Sequence, residues 1–267
     1  MKPTPFTLYI EVVPPAHGNP EPVLDRLSAL NAETISAFNV ASNPVAKPYM
    51  SALVFAHLIQ KRTGVPAVVH CTTRDHNRLS LQSLLWGAQA LGISTLLVTT
   101  GDYPSEISSL PTGAGADLHV FQLLELAVKE NFRVGVVYNP PAPGMNPEPA
   151  QRRLTKKVEL GADFVLTQPI YSREQVKNLE RIGEQVAIPV YPGVLPLVSS
   201  NHARYMHDQV DGIIIPKALL SRISESAQAA EVGLDNARRM LALIRHSFPG
   251  VCLMPPFQRY ELVQELL

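Results

Sequence analysis

One pattern recurs along the chain about eight times: a short apolar run that stops at Gly, Pro or a polar side chain, followed by a stretch of helical period. Ser94–Asp102, read Ser-Thr-Leu-Leu-Val-Thr-Thr-Gly-Asp, is its clearest instance. Leu96, Leu97 and Val98 form a continuous apolar run, as a strand buried on both faces of a parallel sheet does. The other runs are Leu8–Val13, Thr34–Ala41, Ala67–Cys71, Phe132–Tyr138, Phe164–Thr167, a short one centred on Val190, and Gly212–Ile215. Between them the spacing predicts helices over Pro22–Leu30, from Asn43-Pro44 to Lys61, then Leu79–Leu91, Asp117–Val128, Ala150–Leu160, Arg173–Gln185 and Ser199–Met206. Gln228–Ser247 and Phe257–Leu267 read as closing helices, and Tyr103–Ala116 as a long functional loop. Such alternation with short connections predicts an α/β (β/α)8 TIM barrel, residues 1–267 forming one domain with C-terminal helices. The alternative, an open doubly wound sheet, is disfavoured because no Gly-x-Gly-x-x-Gly follows any run.

Composition narrows the chemistry. At 46% hydrophobic and 17% charged, the 267 residues can bury a large core. A formal net charge of +0 argues against nucleic acid or an anionic membrane as partner. No run approaches the roughly 20 apolar residues that span a bilayer. The two cysteines, Cys71 and Cys252, make no disulfide framework and no Cys-x-x-Cys, which fits a reducing, cytoplasmic setting. No metal-ligand spacing, P-loop or nucleophile elbow occurs.

In this register the strand ends present Glu11, His70, Asp102, Tyr138 and Gln168 at one mouth. That collection suits acid–base work around an organic cofactor. Glu11, among Tyr9, Ile10, Val12 and Val13, reads either as a carboxyl with a raised pKa or as an outward strand residue. Asp102 is a strand-end carboxylate or a turn cap. His70 is a ligand contact or a satisfied core histidine. Arg74, Asp75 and Asn77 read as a solvated helix start, with Asp75 or Asn77 as N-cap. Arg152, Arg153, Lys156 and Lys157 are a wet helix face or a clamp for a phosphate. Gln168 is a loop residue or a reader of a heterocycle edge.

Several of these segments resemble the methylenetetrahydrofolate reductase family in matching order: Glu-Val-Val-Pro-Pro at 11–15, Val68–Asn77, Thr-Gly-Asp at 100–102, Val158–Pro169, and Pro192–Leu197. The Arg-Asp-x-Asn and Thr-Thr-Gly-Asp forms, with Pro256–Tyr260, are most similar to a short bacterial branch that also occurs fused to a homocysteine methyltransferase. The resemblance implies a flavin-dependent barrel of one-carbon metabolism and methionine biosynthesis. It would reduce 5,10-methylenetetrahydrofolate to 5-methyltetrahydrofolate with FAD rather than FMN, and with NADH or NADPH as donor. It further implies Glu11 as the acid that opens the methylene bridge, and Asp102 as a residue of both flavin and folate. Gln168 would bind the pterin, and His70, Thr100, Gly101, Tyr138, Arg153, Lys156 and Lys157 would hold the flavin.

The chain departs from that family at three places. Val40-Ala41-Ser42 lacks a hydroxyl expected near the flavin. A position near Ser200 replaces an aromatic that stacks on nicotinamide or folate, and Ala150 replaces an acidic residue that opens the basic helix. These departures leave two other expectations: a folate-reducing subunit fed by a second electron carrier, and a folate- or flavin-binding barrel without turnover. A homo-oligomer or an electron-transfer partner protein is compatible with each.

Overall fold

The computed structural model describes residues 6–102, 117–141, 145–210 and 212–267. The loop expected over Tyr103–Ala116 therefore lies outside the described residues. Eight parallel strands close into a barrel in sequence order. They are β1 (Thr7–Val12), β2 (Ala37–Val40), β3 (Ala67–Thr72), β4 (Thr95–Thr99), β5 (Arg133–Tyr138), β6 (Phe164–Pro169), β7 (Val190–Val194) and β8 (Gly250–Leu253). The helices are α1 (Glu21–Ser28), α2 (Ala52–Thr63), α3 (Arg78–Ala90), α4 (Val120–Lys129), α5 (Glu148–Glu159), α6 (Arg173–Gln185), α7 (Ser200–Gln209), α8 (Lys217–Glu225), α9 (Ala229–Ser247) and α10 (Leu262–Leu266). The expected (β/α)8 barrel is thus the observed fold.

Contacts gather the described residues into two compact units. The first holds residues 10–137 and 156–164; the second holds the rest, with β6 from Val165 on, β7, β8 and α6–α10.

In the first unit β2, β3 and β4 pair in register, Val40 opposite Val69 and Val69 opposite Leu96. Val40, Val69 and Leu96 are all buried, which is why these strands read as continuous apolar runs rather than alternating ones. Side-chain caps place the helices: Asn77 accepts from the Ser80 N–H at 2.9 Å, while the Ser80 hydroxyl accepts from the Asn77 N–H at 3.1 Å. This reciprocal pair satisfies two orphan donors and fixes where α3 starts, immediately beyond the end of β3.

In the second unit the Ser172 and Ser199 hydroxyls cap α6 and α7 by accepting the Gln175 and His202 N–H groups. The strand expected at Gly212–Ile215 is not one. Ile213 and Ile215 are buried in a cluster with Tyr171, Leu197, Leu219 and Ile223, in the irregular segment between α7 and α8. A short apolar run reports burial, and burial under helices reads the same as burial in a sheet. The eighth strand is Gly250–Leu253, four residues directly after the long helix α9, where the sequence predicts only closing helices. The Thr7 N–H donates to the Pro249 carbonyl at 2.8 Å, beside this strand. Helix α2 also begins later than expected, at Ala52 rather than Asn43.

Candidate active site

Glu11 is the penultimate residue of β1, between Ile10 and Val12, which are fully buried. It keeps a partly exposed edge. Burial pushes its carboxyl up to about 7, and the negative charge of Asp102 adds to the rise. Both effects disfavour the ionised form, so a large fraction of Glu11 carries its proton near neutral pH.

Asp102 stands three residues beyond the end of β4 and is exposed. Its Oδ2 accepts the Val45 N–H at 2.6 Å. Between it and the strand, Gly101 has φ +89, and a Cβ there would lie 3.2 Å from the Arg74 Cβ and 3.3 Å from the Thr72 Cβ. Both the left-handed backbone and this crowding call for glycine. The Thr100 carbonyl accepts the Arg74 N–H at 3.0 Å, extending the β3–β4 ladder past the strands proper.

His70 and Thr72 are alternate residues of β3 and so share a face. The His70 Nε2 and the Thr72 Oγ1 are both buried without a hydrogen-bond partner. Burial pushes the His70 imidazole down to about 4, so it is neutral and can donate or accept one bond. Two buried polar atoms left unpaired side by side are costly unless a ligand completes them.

The second unit carries Tyr138 and Gln168. Tyr138 is 4% exposed, its phenol is raised by burial, and it lines an apolar cavity of about 400 Å³ with Pro140, Pro147, Leu179, Ile182 and Ile214. Gln168 sits at an irregularity between β6 and β7, where the register shifts between Leu166 and Pro169. The Thr167 hydroxyl donates to the Gln168 carbonyl at 2.8 Å and accepts the Gly193 N–H at 3.1 Å. Such bulges re-aim a side chain at the rim of a barrel.

The basic helix α5 is not a single charged face. Arg152 pairs with Glu148 at 3.4 Å, and Arg153 is exposed. The Lys156 ammonium lies 4.6 Å from the centre of the Phe121 ring on α4, while Lys157 donates to the Val137 carbonyl near the end of β5 at 2.7 Å. Lys157 thus reaches the strand end and Lys156 turns away from it. Among the described residues no group of His, Cys, Asp and Glu could hold a metal ion. No helix among them is long and apolar enough to cross a membrane.

Sequence reasoning missed Arg74 and Thr72. Arg74 reads as solvated, yet it is only 6% exposed, and its guanidinium donates to Asp75, to the Asn43 carbonyl and to the Asp102 carbonyl. A polar run between two apolar elements gives no sign of that. Asn77 is the helix cap, one of the two expected.

The fold is a closed parallel (β/α)8 barrel, with Glu11 near the end of β1 and Asp102 three residues beyond β4. Solved structures agree on the fold alone. The chain is similar to 2,3-dimethylmalate lyase, a PEP mutase/isocitrate lyase superfamily member, with TM-score 0.52 and 13% identity over 98% of this chain and 80% of that one. It is similar to a mutant tryptophan synthase α-subunit from Pyrococcus furiosus with TM-score 0.51 and 17% identity over 88% and 98%. Residues 2–255 match the family model of methylenetetrahydrofolate reductase, and the chain belongs to that family. Relatives include methylenetetrahydrofolate reductase 2 of Schizosaccharomyces pombe, 24% identical over 74% of this chain and 34% of that protein. A probable methylenetetrahydrofolate reductase (NADPH) of Caenorhabditis elegans is 27% identical over 71% and 30%. The chain spans about a third of the length of these two relatives.

Proposed function

We propose that this chain is a single barrel that binds FAD and reduces 5,10-methylenetetrahydrofolate to 5-methyltetrahydrofolate, with NADH or NADPH as electron donor. The observation that carries this reading is Glu11: a carboxyl kept protonated up to about pH 7 by burial and by Asp102, in a chain of this family. Mere binding of a pterin needs no proton donor there. When bound, the flavin supplies the hydride that reduces the bridge carbon.

The chain's residues do the rest. Glu11 holds the proton that the departing folate nitrogen takes up as the methylene bridge opens. Asp102 keeps that proton in place by disfavouring a second negative charge beside it, and its charge favours the cationic iminium that opening leaves. His70 and Thr72 offer their unpaired atoms to the flavin edge. Thr100 and Gly101 bring backbone close to it, Tyr138 and Lys157 stand at the end of β5, and Arg153 serves the diphosphate. Gln168 offers an amide to the pterin. The Lys156 ammonium, occupied by Phe121, has the weakest case among the residues that the resemblance implies.

A pH profile follows from the sign of the Glu11 shift. The acid is competent when protonated, so kcat/KM for the folate should be level on the acid side of about pH 7 and fall above it. Removing the Asp102 charge with Asp102→Asn lowers the Glu11 pKa and should move this limb to lower pH. A profile that rises through neutrality would contradict the role of Glu11.

The reading as a whole is tested by the absorption spectrum of the purified protein. It should show flavin bands that bleach with NADH or NADPH and return on adding methylenetetrahydrofolate. Bleaching by a reduced dye but by neither nicotinamide would assign the donor role to another electron carrier. A protein without flavin, and unable to take it up, would overturn the proposal.

A further inference from the structure

The turn Asn43–Ala46, beyond the end of β2, is held in an unfavourable conformation. Asn43 has φ 44 and ψ 55, Val45 φ 49 and ψ 31, and Ala46 φ 55. Left-handed backbone is uncommon outside glycine, and a β-branched valine there is a true outlier. Such backbone is strained and persists only where its surroundings impose it. Two side chains impose it here. The Asp102 carboxylate takes the Val45 N–H at 2.6 Å, and the Arg74 guanidinium reaches the Asn43 carbonyl at 3.4 Å from both terminal nitrogens.

Arg74 also holds Asp102. Its Nη1 donates to the Asp102 carbonyl at 2.7 Å, and Nε and Nη2 donate to Asp75 Oδ2 at 2.8 and 2.5 Å. One buried guanidinium therefore joins three pieces: the loop after β2, the start of the α3 approach at Asp75, and the residue after Gly101. Asp75 supplies the opposite charge that allows an arginine to be buried at all. The planar fork is what makes the three-way tie, since a lysine ammonium is one point charge with no fixed geometry.

We infer that Arg74 is a positioning residue, acting through Asp102: it locks the strained Asn43–Ala46 turn to the Asp102 backbone and so fixes where the Asp102 carboxylate stands beside Glu11. The inference rests on the proposed reading for its effect on turnover, but the tie itself is a property of the chain without flavin or folate.

Two measurements separate the tie from the reading. The first is amide hydrogen exchange by NMR on the flavin-free full chain. Arg74→Lys should raise exchange of the Val45 amide at least about tenfold, as Asp102→Ala does, because both free the same N–H. Unchanged Val45 protection in Arg74→Lys overturns the inference whatever the protein catalyses. The second is a double-mutant cycle in the reductase assay. Arg74→Lys should lower kcat by on the order of 100-fold with a smaller change in folate KM, as expected when a reacting geometry slips by about 1 Å. In an Asp102→Ala background the same change should cost less than about threefold, because the side chain it positions is already gone. Full additivity means that Arg74 acts elsewhere and overturns the inference. Loss of activity in the wild type under every donor would instead sink the proposed function and leave the exchange result standing. Should Arg74→Lys fail to fold, the wild type decides: the Val45 N–H, held by Asp102, must exchange slowly, and a freely exchanging Val45 N–H overturns the tie.

Discussion

Glu11→Gln should abolish folate reduction while leaving flavin chemistry with the donor intact. Glutamine keeps the shape and the hydrogen-bonding reach of the side chain and removes only the transferable proton. A positioned general acid contributes roughly 10²- to 10⁴-fold, so kcat for the folate half-reaction should fall within that range. Reduction of bound flavin by NADH or NADPH has no need of that proton and should stay within about threefold of wild type. Stopped-flow absorbance reads the two halves separately. The same variant should be more stable than wild type in alkali. Folding raises the Glu11 pKa from 4.5 to about 7, so the native state binds the proton more tightly than the unfolded chain. The stability this gives is present below pH 4.5 and lost as pH rises to about 7; charging the buried carboxyl then costs on the order of 3 kcal/mol. Glutamine escapes that cost, and its melting temperature at pH 8 should exceed that of wild type by several degrees. Unchanged folate reduction, or a variant that is no more stable at pH 8, would remove Glu11 from the mechanism.

Gly233→Ala should be the most damaging methyl group that can be added to the helices. Gly233 lies in the first half of α9, and a Cβ there would fall 1.8 Å from the Leu197 carbonyl oxygen and 2.7 Å from its carbon. These are backbone atoms following β7, so relief requires the helix and the loop to part. Overpacking typically costs about 1–3 kcal/mol, and backbone against backbone belongs at the top of that range. For a chain of this size that is a fall of roughly 6–12 °C in melting temperature. Gly183→Ala in α6 is the matched control: nothing lies within 4 Å of its Cβ position, so helix propensity should make it neutral or slightly stabilising. Equal melting temperatures for the two variants would refute the close approach of α9 to Leu197.

What could be read from the sequence was what depends on neighbours along the chain. Most strands were legible because a short apolar run bounded by Gly, Pro or polar residues marks a buried strand without any tertiary knowledge, although β3 continues past His70 to Thr72 and Asp102 stands three residues beyond β4. The cap at Asn77 was legible for the same reason. The rest needed contacts between distant segments. Arg74 looks solvated because its partners, Asn43 and Asp102, lie 31 and 28 residues away. The Asn-Pro pair at 43–44 looks like a helix start. However, Pro48 restricts Lys47 to extended backbone, and α2 waits until Ala52. Ile213–Ile215 outscores Gly250–Leu253 as a strand on apolar content, and only the packing of α7 and α8 over it shows that it is not one.

The junction of Thr7 with Pro249 has a consequence for biogenesis. The two residues are some 240 positions apart, and translation at about 5–20 residues per second puts roughly ten to fifty seconds between their emergence. Throughout that interval β1 has no β8 to pair with, and the first strand made carries an open edge. An unpaired edge is a template for association with other chains. The nascent protein therefore stands to gain from a chaperone until its last strand arrives.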